Sequence, residues 1–309
     1  MSVKIEPGSE EWHKLITPSK VAAILGVSRW ESPYRLWHRM KGLVPPEPEK
    51  DIFTVGHAFE PALAYLWKED NPDWQLSPGE VQIVGDPAEL GFPFAVTLDR
   101  RARRGGYRRV VEFKTARSLE EWGDEFTDQA PADYVAQVSA QMLFAGPAFQ
   151  KHPAHLCVLG PWLKHHTYHI EPSDDVFKLI TDRCAAFYAS LAEDTPPPLD
   201  DTVATYECVR ELHPDIDRGT EAIIPMELAD EWHGAAAQLK SMTKTERGAK
   251  TRVLDLMGRA QYGVVQLGED EKYTVARRQA NGKGSVSLYV VEPKPPVTQP
   301  NTEMEGVSA

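Results

Sequence analysis

Residues 92–115, FPFAVTLDRRARRGGYRRVVEFKT, carry the reading of this chain. Gly105-Gly106 is its strongest hairpin signal, because glycine reaches positive φ without steric cost and two-residue turns of this kind join antiparallel strands. With those glycines as the turn, Arg104 opposes Tyr107 and, counting outward, Asp99 opposes Glu112. Side chains alternate along strands, so Thr97, Asp99, Glu112 and Lys114 share one face, while Phe94, Val96, Leu98, Val111 and Phe113 share the other and pack into the core. Two directly opposed carboxylates repel, and stability alone does not set them there unless a cation lies between them. Oxygen ligands of this kind suit Mg²⁺ or Mn²⁺ rather than zinc. Charged solvent faces are nonetheless ordinary on antiparallel strands, so the hairpin by itself leaves open a surface in which Lys114 merely neutralises Glu112.

Outward from the hairpin the pattern is mixed. On its N-terminal side, ITPSKVAAILG reads as a short capped helix closed by Gly26, residues 33–41 as a second, and residues 52–69 as a long amphipathic helix with Val55, Phe59, Leu63, Leu66 and Trp67 at helical spacing. VQIVG, FPFAVTLD and YRRVVEFKT read as strands, followed by a helix at 132–144, strands at HLCVLG and HHTYHI, and a helix at 173–192. TPPPLDD at 195–201 marks a boundary. Beyond it, residues 226–260 read as one or two amphipathic helices, and YGVVQLG, KYTVARR and SVSLYVVE as a small antiparallel sheet. The expected domains are a core at 1–198, a helical and β extension at 199–292, and a disordered Pro-rich tail at 293–309.

With 309 residues the chain has room for about two domains, and its 41% hydrophobic and 26% charged residues exclude wholesale disorder. No long apolar run and no leader-like start is present, so a cytoplasmic protein without a membrane segment is expected. Cys157, Cys184 and Cys208 lie far apart with no CxxC pair, which argues for reduced structural thiols and against a zinc ribbon. The net charge of −12 rules out coating nucleic acid by bulk electrostatics. A local basic site remains open, because six arginines fall within Arg100–Arg109.

Four features, in order, resemble the lambda-exonuclease or YqaJ-like viral recombinase branch of the PD-(D/E)xK nucleases: ITPSKVAAILGVS, GHAFEP opening a helix, Asp99 with Glu112-Phe113-Lys114, and YVAQVSAQM. They span about residues 11–192. Leu98-Asp99-Arg100 stands where the family commonly has Pro-Asp-Gly, but the carboxylate is kept. The resemblance implies an α/β (α+β) restriction-endonuclease-like core, with a mixed central sheet flanked by helices. It also implies a metal-dependent DNA exonuclease that resects linear duplex from the 5′ end. A restriction-like or nicking endonuclease, or a catalytically silent DNA-end binder, shares the same hairpin. Double-stranded DNA with free ends is the implied substrate, and a single-strand annealing protein and a homo-oligomeric ring are the implied partners.

On that resemblance, Asp99 and Glu112 ligate Mg²⁺ or Mn²⁺ with the Phe113 carbonyl, Glu60 completes the shell through water, and Lys114 holds the attacking water and the scissile phosphate. His57, one helical turn before Glu60, is a further candidate ligand or a structural histidine. Gln137 orients Lys114 or the DNA backbone, whereas Gln141 is read as helix surface or packing. Ser19 at a helix N-terminus is a candidate for the terminal 5′ phosphate, or a simple cap. Lys14 is the candidate basic contact at the DNA end. By strand parity Arg101, Arg103 and Arg108 share the carboxylate face and are candidates for the DNA backbone, while Arg100, Arg104 and Arg109 point away. Trp30, Tyr34 and Trp37 are expected in the core, with base stacking as the alternative.

Overall fold

The computed structural model describes residues 4–6, 8–46, 51–123, 127–268, 271–280 and 284–291, so the expectation for the 293–309 tail falls outside the described residues. The chain divides into two compact units, residues 1–216 and 217–309. Helices α1 (Glu10–Lys14), α2 (Pro18–Ile24), α3 (Pro33–Met40) and α4 (Asp51–Asp70) come first. Strands β1 (Gln75–Leu76) and β2 (Val81–Val84), helix α5 (Pro87–Leu90), and strands β3 (Ala95–Leu98), β4 (Arg100–Arg104) and β5 (Tyr107–Thr115) follow. The first unit is completed by α6 (Ala132–Phe144), β6 (Ala154–Leu159), β7 (His165–Ile170), α7 (Asp174–Ala192) and α8 (Val203–Leu212).

The central sheet is mixed, ordered β1-β4-β5-β6-β7, with β5 and β6 parallel and the other neighbours antiparallel. A parallel pair needs a crossover, and α6 supplies it between β5 and β6. The hairpin register is the expected one: Arg104 faces Tyr107 and Arg100 faces Val111, with Gly105 at φ +57° in the turn.

The strand before the hairpin departs from expectation. Rather than running unbroken through FPFAVTLD into the hairpin, the chain bends at Asp99, and β3 pairs with β2 in a separate two-stranded ribbon. That bend redistributes the apolar residues. Phe94, Val96 and Leu98 join Val110 in the larger cluster, beneath α2, α6 and α7. Val111 and Phe113 pack on the opposite side of the sheet with Ala102, Cys157, and Leu63 and Trp67 of α4. Both sheet faces are therefore covered, and the face bearing Glu112 lies under α6 rather than open to water.

Other placements refine the sequence reading. In α4 only Leu63 and Trp67 are fully buried, and Val55 and Phe59 are exposed, so the amphipathic face works only in the second half of the helix. Trp37 is buried, but Trp30 is 70% exposed, which takes it out of the core. The Pro-rich stretch at 195–201 leads into α8, which is anchored to α3 through Thr205 Oγ1 on Ser32 Oγ (2.7 Å) and Arg35 on Glu211 (2.9 Å). This helix therefore lies within the first compact unit, whereas the expected boundary set it in the extension. All three cysteines are free and buried, and burial pushes the thiols of Cys157 and Cys184 up to about 12. Among the described residues no helix is long and apolar enough to cross a membrane.

The second unit holds α9 (Met226–Met257) and an antiparallel sheet of β8 (Tyr262–Gln266), β9 (Lys272–Ala280) and β10 (Val286–Val290), ordered β10-β9-β8. The stretch expected to hold one or two helices thus forms one, which ends at Met257. Met257 at its end is buried near Gly263 and Ala276 of this sheet.

One buried contact ties the two helical layers to pH. Trp67 Nε1 of α4 donates to His155 Nδ1 of β6 at 2.9 Å, which requires a neutral imidazole acceptor. Burial, then Arg109 and His169, push the His155 pKa down from 6.5 to about 3. Between those values the unfolded chain binds more protons than the folded one, so stability is lost as pH falls through that window, by up to about 1.4 kcal/mol per pH unit. His155→Gln keeps an acceptor without titrating. The urea midpoint of the parent is expected to fall between about pH 6.5 and pH 5 more steeply than that of His155→Gln. Parallel curves would remove His155 from the acid response.

Candidate active site

The bend at Asp99 and the C-terminal half of β5 bring four expected side chains together. Asp99 turns its Oδ2 onto the Phe113 backbone N–H at 2.8 Å, which sets its carboxylate against β5 beside Glu112. Glu112 is 2% exposed, and each of its oxygens is occupied. Oε1 accepts from Lys114 Nζ and Gln137 Nε2, both at 2.6 Å, and Oε2 accepts from Gln141 Nε2 at 2.6 Å. A buried carboxylate is tolerated when donors meet its lone pairs, and three charge-assisted bonds do so here, two on Oε1 and one on Oε2, which leaves an acceptor position on Oε2.

The electrostatics are those of a compressed acidic pair with one cation. Burial, then the charge of Glu112, push Asp99 well above the usual carboxylate range, against the pull of Lys114 and the Phe113 N–H. Burial works against the Lys114 ammonium, but Glu112 and then Asp99 outweigh it and hold the group above its ordinary range. Lys114 therefore stays charged, with the Tyr134 ring 5.4 Å from its Nζ. Two desolvated carboxylates against one ammonium leave a negative residue of charge. The donor set, hard oxygens plus the Phe113 carbonyl, fits a divalent cation of the Mg²⁺ or Mn²⁺ kind, which would relieve the repulsion that raises Asp99.

Glu60 is placed at the edge of this pair. Its Oε1 accepts from His57 Nδ1 at 2.8 Å, its Oε2 lies 3.9 Å from Arg100 Nη1, and its charge reaches Asp99. Among the described residues, the one set of three potential metal-ligand atoms within 4.8 Å of each other comes from His57, Glu60 and Glu80. Glu60 thus stands with His57 and Glu80 rather than closing a three-carboxylate cage with Asp99 and Glu112. Glu80, which also meets Lys4 Nζ at 3.4 Å, had no motif to mark it in the sequence.

The expected DNA contacts are dispersed. Arg101 and Arg103 are exposed on the Glu112 side of the hairpin, with Arg103 on Gln75 Oε1 at 2.7 Å, and Arg108 bonds the carbonyls of Gly105 and Tyr107. Arg104 and Arg109 lie over Trp74 on the other side, and Arg100 is near the Phe113 ring, as parity required. Lys14 ends α1 and is exposed. Ser19 is exposed at the second position of α2, with Thr17 as the N-cap and their hydroxyls 3.0 Å apart.

Two corrections concern α6. Gln137 holds Glu112 rather than Lys114, and Gln141 is no surface residue: it is 1% exposed, and its amide bonds Glu112 and the Thr97 carbonyl. The i, i+4 spacing of the two glutamines was the signal that both face the same strand. Gln141→Leu strips a donor from a buried carboxylate and is expected to lower stability by about 1–3 kcal/mol. Urea unfolding checks this, and an unchanged midpoint would mean that Glu112 is held by other groups.

A mixed sheet with an acidic pair and a lysine at a strand end is the class that the geometry defines. Residues 10–148 match the model of the YqaJ-like viral recombinase domain. It is 27% identical over 186 residues to the uncharacterized protein YqaJ of Bacillus subtilis (strain 168), covering 57% of this chain and 54% of that protein. The chain therefore spans about half the length of that curated relative. Among solved structures, an alkaline exonuclease (LHK-Exo) from Laribacter hongkongensis aligns with a TM-score of 0.43 at 17% identity, over 60% of this chain and 94% of that one. LHK-Exo in complex with dAMP aligns with a TM-score of 0.44 at 18% identity, over the same shares of the two chains.

Proposed function

We propose that this chain is a metal-dependent deoxyribonuclease that resects linear double-stranded DNA from its 5′ ends, as a phage-type recombination exonuclease. The observation that carries the reading is the convergence of Asp99, Glu112 and Lys114 across the β4–β5 hairpin, inside the stretch that matches the model of the YqaJ-like viral recombinase domain. Asp99, Glu112 and the Phe113 carbonyl would hold a divalent cation, which when bound would supply a water basic enough to attack phosphorus near neutral pH and charge to offset the leaving 3′ oxygen. Glu60 would reach that cation through water.

The protein's own groups do the positioning. Gln137 and Gln141 fix the Glu112 carboxylate in one orientation, so its negative charge is preorganised. Lys114, kept charged by both carboxylates, holds the attacking water and neutralises the equatorial oxygens of the phosphate as charge develops on them. The exposed Arg101 and Arg103, with Arg108, track the DNA backbone beside the hairpin. Ser19 and Lys14 take the terminal phosphate and the DNA end, an assignment supported by the family resemblance of their segment. A single-strand annealing protein completes the reading as a partner.

Digestion of a 5′-phosphorylated linear duplex and of a covalently closed circle with Mg²⁺ tests this. The parent is expected to consume only the linear DNA, and Lys114→Ala to slow that loss by about 100-fold or more. Cleavage of the circle would move the assignment to an endonuclease, and intact linear DNA would overturn hydrolysis altogether.

A further inference from the structure

Within the second unit, and among the described residues, α9 packs on β8 at its C-terminal end and otherwise shows the pattern of a coiled coil. Over most of its 32 residues α9 is exposed, and only Met257, at its very end, is buried. Apolar residues recur at alternating steps of four and three, at Leu228, Trp232, Ala235, Leu239, Met242, then Ala249, Val253 and Leu256, with Glu246 at the one interrupted step and Met226, Leu254 and Met257 off the series. That is a seam of heptad a and d positions sustained over about four heptads. Leu228, Trp232, Leu239, Met242 and Leu256 along it are each more than half exposed. The helix also carries Gly234 and Gly248, both off the seam, and each weakens the helix. Helices in water draw most of their stability from packing an apolar face, so this one calls for a partner.

We propose that the partner is α9 of a second copy of this chain, paired antiparallel as a two-stranded coiled coil. Charge selects the direction. The first half of the helix holds Glu227, Asp230 and Glu231 against Lys240, and the second half holds Lys244, Arg247, Lys250 and Arg252 against Glu246 and Asp255. A parallel pair sets like halves together, whereas an antiparallel pair sets acidic against basic. Side-chain size selects the register. Centred between Lys240 and Ser241, the antiparallel pair puts Trp232 of one copy against Ala249 of the other, Leu239 against Met242, and Leu228 against Val253. The bulkiest residue thereby meets one of the smallest. In the same register Glu231 flanks the seam opposite Arg252, and the two-fold symmetry repeats that pair at the other end. Glu246 falls opposite Ala235, and a polar seam residue of this kind favours one register at a cost in stability.

Sedimentation equilibrium of the full chain tests the proposal, with four proteins: the parent, Glu231→Arg, Arg252→Glu, and the double reversal. These groups are exposed, so the reversals leave folding undisturbed. The parent is expected to dimerise. Each single reversal, which sets like charges together twice, raises the dissociation constant by about tenfold, and the double reversal restores it to within about threefold of the parent. Leu239→Asp combined with Met242→Asp gives a monomer. A monomeric parent, or an association indifferent to the seam variant, would overturn self-pairing. Failure of the double reversal to restore the dimer would overturn the antiparallel register, because in a parallel pair Glu231 and Arg252 lie about 30 Å apart along the helix.

Discussion

The carboxylate of Glu112, buried between β5 and α6, is the constraint around which the first unit is organised. Taking an ionised carboxylate out of water is costly unless donors meet its lone pairs. Lys114 comes from the same strand, and Gln137 and Gln141 come from two successive turns of α6. Those bonds set the rotation and height of α6 over the sheet, and α6 is the element that connects the parallel pair β5 and β6. The charged network and the crossover are thus one structure, and the apolar cluster beneath α2, α6 and α7 closes around it.

The same arrangement would let a strongly acidic protein address the polyanion proposed as its substrate. Burial, then the charge of Glu112, raise Asp99, and Lys114 offsets only part of that. A cation and a phosphate together would complete the balance: the first would answer the carboxylates, and the second the cation and Lys114. The exposed arginines of the hairpin lie on β4, beside the β5 strand that carries Glu112 and Lys114, while the whole sequence has a net charge of −12. Attraction is therefore local.

Much of this was legible in the residues. Gly105-Gly106 determined the hairpin register, and with it the approach of Asp99 to Glu112-Phe113-Lys114. The free, buried cysteines and the order of helices and strands around the hairpin followed from composition and periodicity. What strand alternation could not show was the break at Asp99, because a bend that hands a strand to another sheet leaves no mark on the apolar pattern. Phe94, Val96 and Leu98 therefore changed sides relative to Val111 and Phe113. Trp30 was lost for a related reason, since an aromatic residue in a loop has no period to say which way it faces. Gln141 was legible only once α6 was known to lie over Glu112, and Glu80 reaches Glu60 and His57 through a tertiary approach that spacing does not encode.

The central claim is that Asp99 and Glu112 together hold a divalent cation, and titration of Mn²⁺ into the metal-free protein measures it directly. The parent is expected to bind Mn²⁺ with an affinity that Glu112→Gln, a substitution that keeps the shape of the side chain and removes its charge, lowers by at least about tenfold. Equal affinity in the two proteins would contradict the account and place metal binding elsewhere in the chain.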